Sequence, residues 1–489
     1  PTAGPRAARS RYGRERLRLV VSPEGLPALD RAVRHVIAGA AGSAGMTVEV
    51  QDVATFLGGG STLGGGSTLG DRSALGGEIS ERGGGDDVGA AVAQRLLVAA
   101  QAGVPPDAVL LLGREAQVAR FQDAGLVQDL SGLMRHALRR LGGIPRVGET
   151  LHVVAGNWFA VPWYQRLVGH WVRDPVAREA GIDPDGAVDY AALRRMLSRS
   201  ATSGAVGTPA AGGGPPQNGV PWPWGVGAAD TPDVDAWCWG AIHAWGGGLA
   251  DLKGERVTLD SAQTVEALQW LAGTLGDSPW RAGVHPDAAR WPDRAKNAAF
   301  LAGATAYTFT ERALGSAATP EEPGGGSGDV LAGAVYLRTP AGPAARPRGV
   351  GGGSAWLLPR GAPAEPVERL LEALLEPPVQ RRLWEAGGGF ALPAYHSGWA
   401  DAGLNGSGLL GAPQIEHARR FRDELGEGGF ISATGNGGPE TAASQAIGTL
   451  RFGAGMLRAV LGGRPIASVV AETHARAVEI FRSFGLPGA

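Results

Sequence analysis

The chain has 489 residues, of which 44% are hydrophobic and 19% charged, with a formal net charge of -2. That size suits two or three domains with real cores, and the charge balance gives no electrostatic reason to expect nucleic acid or an acidic membrane surface as partner. The single cysteine, Cys238, excludes an intrachain disulfide and a cysteine-based metal site.

Glycine occurs 80 times, roughly twice its usual share, while lysine stands only at Lys253 and Lys296. The 14 tryptophans matter more, because indole faces stack on sugar rings and on cations. No apolar run approaches the roughly 18 residues of a membrane span. Residues 1–16 are basic but lead into no apolar stretch, so no signal or anchor segment is expected within this chain.

In chain order, LRLVV at 17–21 reads as a buried strand. Leu29, Val33, Val36 and Ile37 then recur at helical spacing, and TVEVQDV at 47–53 alternates as a second strand. This β-α-β opening predicts an α/β sheet. Residues 57–87, with LGGGST twice in tandem, read as a tolerated loop insertion. An amphipathic helix over 88–102 leads through AGVPPDAVLLLG into a strand at 108–112, and a helix follows near 115–123. HVVAG turns at Gly156–Asn157 into WFAVPWY, a hairpin-like segment. Residues 200–220 are a Gly/Pro/Ser-rich loop, 236–245 an aromatic helix and 265–275 an amphipathic one. Further strands are predicted near 304–310, 331–337 and 354–358, and helices near 414–425, 440–460 and 466–483 close the chain. Strands in separated groups with helices between them suggest two α/β lobes.

Motifs for catalysis are missing. There is no G-x-S-x-G elbow, no phosphate loop and no G-x-G-x-x-G after a strand. The nine histidines include no pair at i, i+4, which argues against a histidine metal site. A pair of carboxylates of the glycosidase kind stays open on sequence alone.

Seven segments, in order from about residue 104, resemble the family 1 extracellular solute-binding proteins of ABC importers, the group of maltodextrin- and sugar-binding receptors. They are AGVPPDAVLLLG; GNWFAVPWYQ with Gly156, Pro162, Trp163 and Tyr164; WCWGAIHAWGGGLAD with VTLDSAQTVEALQWL; AAFLAGATAYTFTERAL; GVGGGSAWLLPRGA; PPVQRRLWEAGGGFALPAY; and LGGRPIASVV. The basic N-terminus and the glycine loop depart from the pattern, as do Glu311 and Arg312 at a position where the family carries a stacking residue.

The resemblance implies an α/β two-lobe fold of the type II periplasmic-binding-protein class, with the ligand cleft between lobes and three hinge crossovers. Lobe one is expected to take 1–158 and 303–350, and lobe two 159–302 and 351–489. The implied function is an extracytoplasmic substrate-binding protein that captures a sugar by hinge closure and delivers it to permease subunits. Such a receptor is a monomer, uses no cofactor or metal, and needs no nucleophile. A solute-sensing module for a membrane receptor is the alternative; a glycan-active enzyme on the same architecture is a third.

Cleft contacts are expected at strand ends and crossovers. These sites are Ser22 and Glu24; Arg114 and Glu115; Trp163, Tyr164, Gln165 and Arg166; Asp235, Trp237 and Trp239; Thr310, Glu311 and Arg312; and Gly351, Gly352, Gly353 and Ser354. Several fit a second reading. Trp237 and Trp239 also suit packing of a helix against its lobe, Glu24 a helix N-terminus, Glu311 and Arg312 pairing with each other, and the glycines a hinge. Aromatics mixed with polar groups suit a polyhydroxylated ligand, while Arg166 and Arg312 also suit an anion.

Overall fold

The computed structural model describes residues 16–22, 27–58, 85–112, 117–183, 186–202, 222, 224–276, 284–285, 287–311, 333–344, 349–386, 391–401, 419–424, 430–432 and 434–489. Most of the expected glycine-rich insertion, at 59–84, lies outside them, as do 203–221 and 312–332.

The opening unit is β1 (Arg16–Val21), α1 (Pro27–Ser43) and β2 (Thr47–Asp52), with β1 and β2 parallel. Leu29, Val33, Val36 and Ile37 are buried, as the spacing along α1 requires. After α2 (Val53–Gly58) and α3 (Gly85–Gln101), β3 (Ala108–Leu112) pairs parallel to β1, so the carboxyl ends of these strands lie at one edge.

Helices α4 (Val118–Asp123), α5 (Ser131–Leu141) and α6 (Arg146–His152) lead to a short hairpin, β4 (Val153–Val154) and β5 (Asn157–Trp158). Ala155 and Gly156 turn it with positive φ at both positions, 49° and 81°, which suits a tight hairpin turn. The hairpin ends at Trp158. The rest of the expected second strand belongs to β6 (Val161–Arg173), a separate and much longer strand.

Next come α7 (Asp174–Glu179), α8 (Tyr190–Thr202), α9 (Pro232–Ala244), α10 (Ala262–Gly276) and α11 (Asp293–Leu301), then β7 (Tyr307–Glu311), β8 (Ala334–Leu337) and β9 (Gly349–Leu357). The chain continues with α12 (Ala364–Leu374), α13 (Pro377–Ala386), β10 (Leu392–Pro393), α14 (His396–Asp401) and β11 (Phe430–Ser432). It closes with α15 (Ala442–Gly448), α16 (Phe452–Leu461) and α17 (Ile466–Ser483). The single helix expected over 440–460 is broken at Arg451, whose φ of 48° no continuous helix accepts.

Two large cores divide the molecule. One joins Leu19, Ile37, Leu110, Met134, Trp163 and Tyr164 to Trp356, Leu371 and Tyr395. The other joins Val168 and Val172 to Trp237, Leu268, Tyr307, Leu337, Val350, Ile431 and Phe481. The cores therefore group the late segments otherwise than the sequence suggested. Tyr307, Phe309, Leu337 and Val350 share a core with residues of 168–288, and Trp356, Leu371 and Tyr395 share one with residues of 17–164. The reason lies in β6 and β9. Each begins in one core and ends in the other, so the chain changes lobe inside a strand rather than in a loop. A smaller aromatic cluster, with Trp171, Tyr336 and Phe430 from one side and Trp384, Leu392 and Trp399 from the other, packs beside these strands.

One buried ion network pins the second core. Lys296 Nζ lies 2.7 Å from Asp233 and 3.2 Å from Asp293, and donates to the Phe309 carbonyl at 2.5 Å. It ties α11 to α9 and β7. Burial alone would lower the Lys296 pKa, but the two carboxylates outweigh it and hold the ammonium above its ordinary value.

Candidate functional site

Strand register defines the waist between the cores. β9 pairs along one side with β6: Tyr164 faces Ser354, Gln165 faces Gly353, and Arg166 faces Gly352. Trp163 is the extra residue of a bulge there. On its other side β9 changes partner. Its second half pairs with β3, ending at Leu112 opposite Ser354. Its first half pairs with β11, ending at Ser432 opposite Gly351. Gly352 and Gly353 thus have β6 as their sole strand neighbour among the described residues. β3 from one core and β11 from the other point their carboxyl ends at this gap. Crevices outside strand carboxyl ends, where the strand order switches, are where open α/β sheets bind ligands.

The glycines have a steric reason to be there. A Cβ on Gly353 would sit 2.8 Å from the Tyr164 carbonyl oxygen, so only glycine lets β9 lie this close to β6. Ser22 completes the row from β1, its N–H donating to the Leu110 carbonyl at 3.0 Å.

Polar groups left open line this row. Gln165 Nε2 donates to the Ala394 carbonyl at 3.4 Å, while Gln165 Oε1 is buried without a partner among the described residues. Ser354 Oγ and Gln117 Nε2 are in the same condition. A buried polar atom without a partner costs about 1–3 kcal/mol, and Gln165 and Ser354 put two of them at strand positions beside the gap.

The segment after β11 adds residues that the sequence reading missed. Glu440 accepts from Thr434 Oγ1 and from Ser444 Oγ, each at 2.5 Å. Burial raises the Glu440 pKa against the pull of these hydroxyls. Asn436 Nδ2 donates to the Pro439 carbonyl at 2.7 Å. The loop rests on α9: His243 Nε2 lies 2.8 Å from the Gly435 carbonyl, and a Cβ on Gly435 would strike the Trp239 ring at 2.2 Å. Gly435 also has a φ of 80°. The T-G-N-G-G-P run at 434–439 carried the signal of a tight, glycine-shaped loop beside polar residues.

Across the waist the two sides touch. The Glu440 N–H donates to the Thr150 carbonyl of α6 at 3.1 Å, and the Arg120 N–H of α4 donates to Gln445 Oε1 of α15 at 3.2 Å.

The expected site residues fall into four groups. Gln165, Gly352, Gly353 and Ser354 meet at the gap, with Arg166 partly exposed beside them. Thr310 and the Glu311 backbone pair with Gly169 and Val168, further along β6. The aromatic candidates sit in cores instead. Trp163 and Tyr164 pack with Trp356 and α12, Trp163 Nε1 lying 3.4 Å from the Leu374 carbonyl. Trp237 packs on Trp224, and Trp239 under Gly435. Asp235 is fully buried and accepts the Ala454 N–H at 3.0 Å, holding the start of α16. Glu24, Arg114, Glu115, Arg312 and the Glu311 side chain lie outside the described residues.

Residues 89–397 match the family described as bacterial extracellular solute-binding protein. No curated protein matches the chain. Among solved structures it is similar to the solute-binding protein of an ABC transporter from Thermotoga lettingae, bound with alpha-D-tagatose. The identity is 15% and the TM-score 0.64, covering 95% of this chain and 99% of that one. The GacH receptor of Streptomyces glaucescens, solved unliganded and with acarbose, gives 15% identity and a TM-score of 0.64 over 95% and 98%. A sugar transporter protein from Arthrobacter chlorophenolicus with bound laminaribiose gives 16% and 0.62 over 95% and 98%. At these identities the likeness is one of fold, a mixed α/β chain in two lobes.

Proposed function

Because the chain belongs to the bacterial extracellular solute-binding proteins, we propose that it captures a carbohydrate at the waist and delivers it to the permease of an ABC importer. Membership makes it a solute-binding chain of the extracytoplasmic space rather than an enzyme. No helix among the described residues is long and apolar enough to cross a membrane.

The observation that carries the reading is the gap in the sheet at Gly352–Gly353, faced by strand ends from both cores. The neutral amide and hydroxyl groups left open there, Gln165 and Ser354, suit sugar hydroxyls better than they suit a dense anion. Arg166 at the edge adds one charged donor. The tagatose, acarbose and laminaribiose bound by structural neighbours support the same class. Glu24, Arg114, Glu115, Glu311 and Arg312, expected from the sequence as cleft contacts, belong to the same proposal.

The lobes in this reading follow the cores: 16–164 with 354–401, and 166–353 with 430–489. β6 and β9 serve as hinges. Closure about them buries the solute. The protein acts as a monomer.

A thermal-shift screen over sugars, polyols and sugar phosphates tests the proposal. A ligand at a hundredfold excess over its dissociation constant adds roughly 2.7 kcal/mol of stability. Gln165→Ala and Ser354→Ala should shrink that gain. If no member of the panel raises the melting temperature, the carbohydrate assignment falls.

A further inference from the structure

One hydrogen bond across the waist is set apart by helix geometry. α4 begins at Val118, and the Gln117 side chain makes no capping bond to its first turn. The first bond inside the helix runs from Phe121 N–H to the Gln117 carbonyl. The Arg120 N–H is therefore one of the donors a helix cannot satisfy from within itself. Gln117 Oε1, the natural candidate for capping, is instead engaged by the Arg120 guanidinium. The acceptor for Arg120 N–H comes from the other lobe: Gln445 Oε1, at 3.2 Å.

Gln445 is presented by a rigid frame. Thr441 and Ser444 form a reciprocal cap at the start of α15, and Ser444 Oγ also holds Glu440. Gln445 is 5% exposed. α4 follows the carboxyl end of β3 and α15 follows that of β11, so the bond lies on the side of the sheet where both strands meet the gap. Moving the lobes apart there removes the acceptor and uncaps α4.

We propose that Gln445 caps α4 in trans and is a positioning residue for lobe closure, holding the lobes together in the free protein without touching the solute. The inference rests on the reading of the waist as a solute cleft. It extends that reading: a larger closed fraction raises apparent affinity for every solute alike, in proportion to the competent population.

The test needs no ligand. Cys238 is fully buried, so spin labels can be placed selectively on Leu97→Cys in α3 and Leu252→Cys in the turn after α9, both exposed. In the natural chain with these labels, the interlobe distances include a short population. Gln445→Ala shifts them toward longer separations, and backbone amide exchange in 118–123 quickens about twofold to tenfold, the weight of one hydrogen bond. If the alanine variant does not fold, Gln445→Asn, whose oxygen falls one carbon short, is measured in its place with the same result expected. Unchanged distances and unchanged exchange in a folded variant overturn the proposal. A flat solute screen beside shifted distances would remove the carbohydrate reading and leave the latch standing. A working screen beside unchanged distances would do the reverse.

Discussion

Glu424 Oε1 accepts the Thr339 N–H at 2.7 Å, and its other oxygen takes the Tyr336 and Thr339 hydroxyls at 3.1 and 3.2 Å. The bond ties the helical segment 419–424 to the end of β8. Burial raises the Glu424 pKa from 4.5 to about 7, and these hydrogen bonds and the charge of Arg338 only partly oppose it. The folded state thus keeps a proton that the unfolded chain releases, and this contribution to stability falls as pH rises from about 4.5 to about 7. Glu424→Gln mimics the protonated form. Its melting temperature should match that of the natural chain at pH 5 and exceed it by a few degrees at pH 8. An equal difference at both pH values would show that Glu424 does not titrate in this window.

His170 and His152 act in the opposite sense. Burial lowers them to about 3 and about 4, against an ordinary value of 6.5. His170 Nδ1 lies 2.7 Å from the Tyr307 hydroxyl, and His152 Nδ1 lies 2.7 Å from the Gly148 carbonyl. The unfolded chain gains protons below about pH 6.5 that the folded chain refuses, so stability falls as pH falls from there. Each histidine should remove up to about 2 kcal/mol between pH 6.5 and pH 5. Urea midpoints of His170→Asn at the two pH values should show a shallower loss than the natural chain. A loss of the same slope rejects the assignment.

Lys296→Met leaves Asp233 buried, and Asp293 half-buried, beside an apolar side chain. Removing one partner of a buried ion network typically costs about 3–5 kcal/mol. The variant should unfold at clearly lower urea concentration, and also replacing Asp233 by Asn should recover part of the loss. A variant within about 1 kcal/mol of the natural chain would mean that the network adds little.

Gly353→Ala tests the close contact of the crossover strands. The added carbon meets the Tyr164 carbonyl oxygen at 2.8 Å, and relieving it means parting β9 from β6. Overpacking of this kind costs about 1–3 kcal/mol. The alteration also falls at the gap, so the thermal shift given by the best solute of the screen should shrink. Gly333→Ala, just before β8, where no atom lies within 4 Å of the new carbon and φ is not positive, is the control and should leave both stability and the thermal shift nearly unchanged.

The opening β-α-β unit, the buried β3 and the stripes of α1 and α10 were legible because local periodicity determines them. The two-lobe class followed from ordered segments. Crossovers near 163–166 and 351–354 were expected from the resemblance; that the chain changes core inside β6 and β9 was not legible, because nothing local says that Val168 and Trp163 belong to different cores. The aromatic candidates show the same limit. A tryptophan suits a sugar ring and a core equally well, and only the fold puts Trp237 against Trp224. Gln165 and Ser354 were singled out by their position beside an expected crossover, and both lie at positions next to the gap. Glu440 and Gln445 were not, because their partners Thr434, Thr150 and Arg120 gather only when β11 takes its place beside β9.

The strands that pass between cores also set an order of events. The first core needs Trp356 and Leu371, made some two hundred residues after Trp163, and the second needs Ile431 through Phe481 near the end of the chain. A polypeptide emerging from the ribosome therefore cannot finish one lobe before starting the other. Long-range pairing of this kind slows folding. A chain interrupted before Gly349 holds two incomplete cores and remains open to a translocation machine or a chaperone until its last quarter arrives.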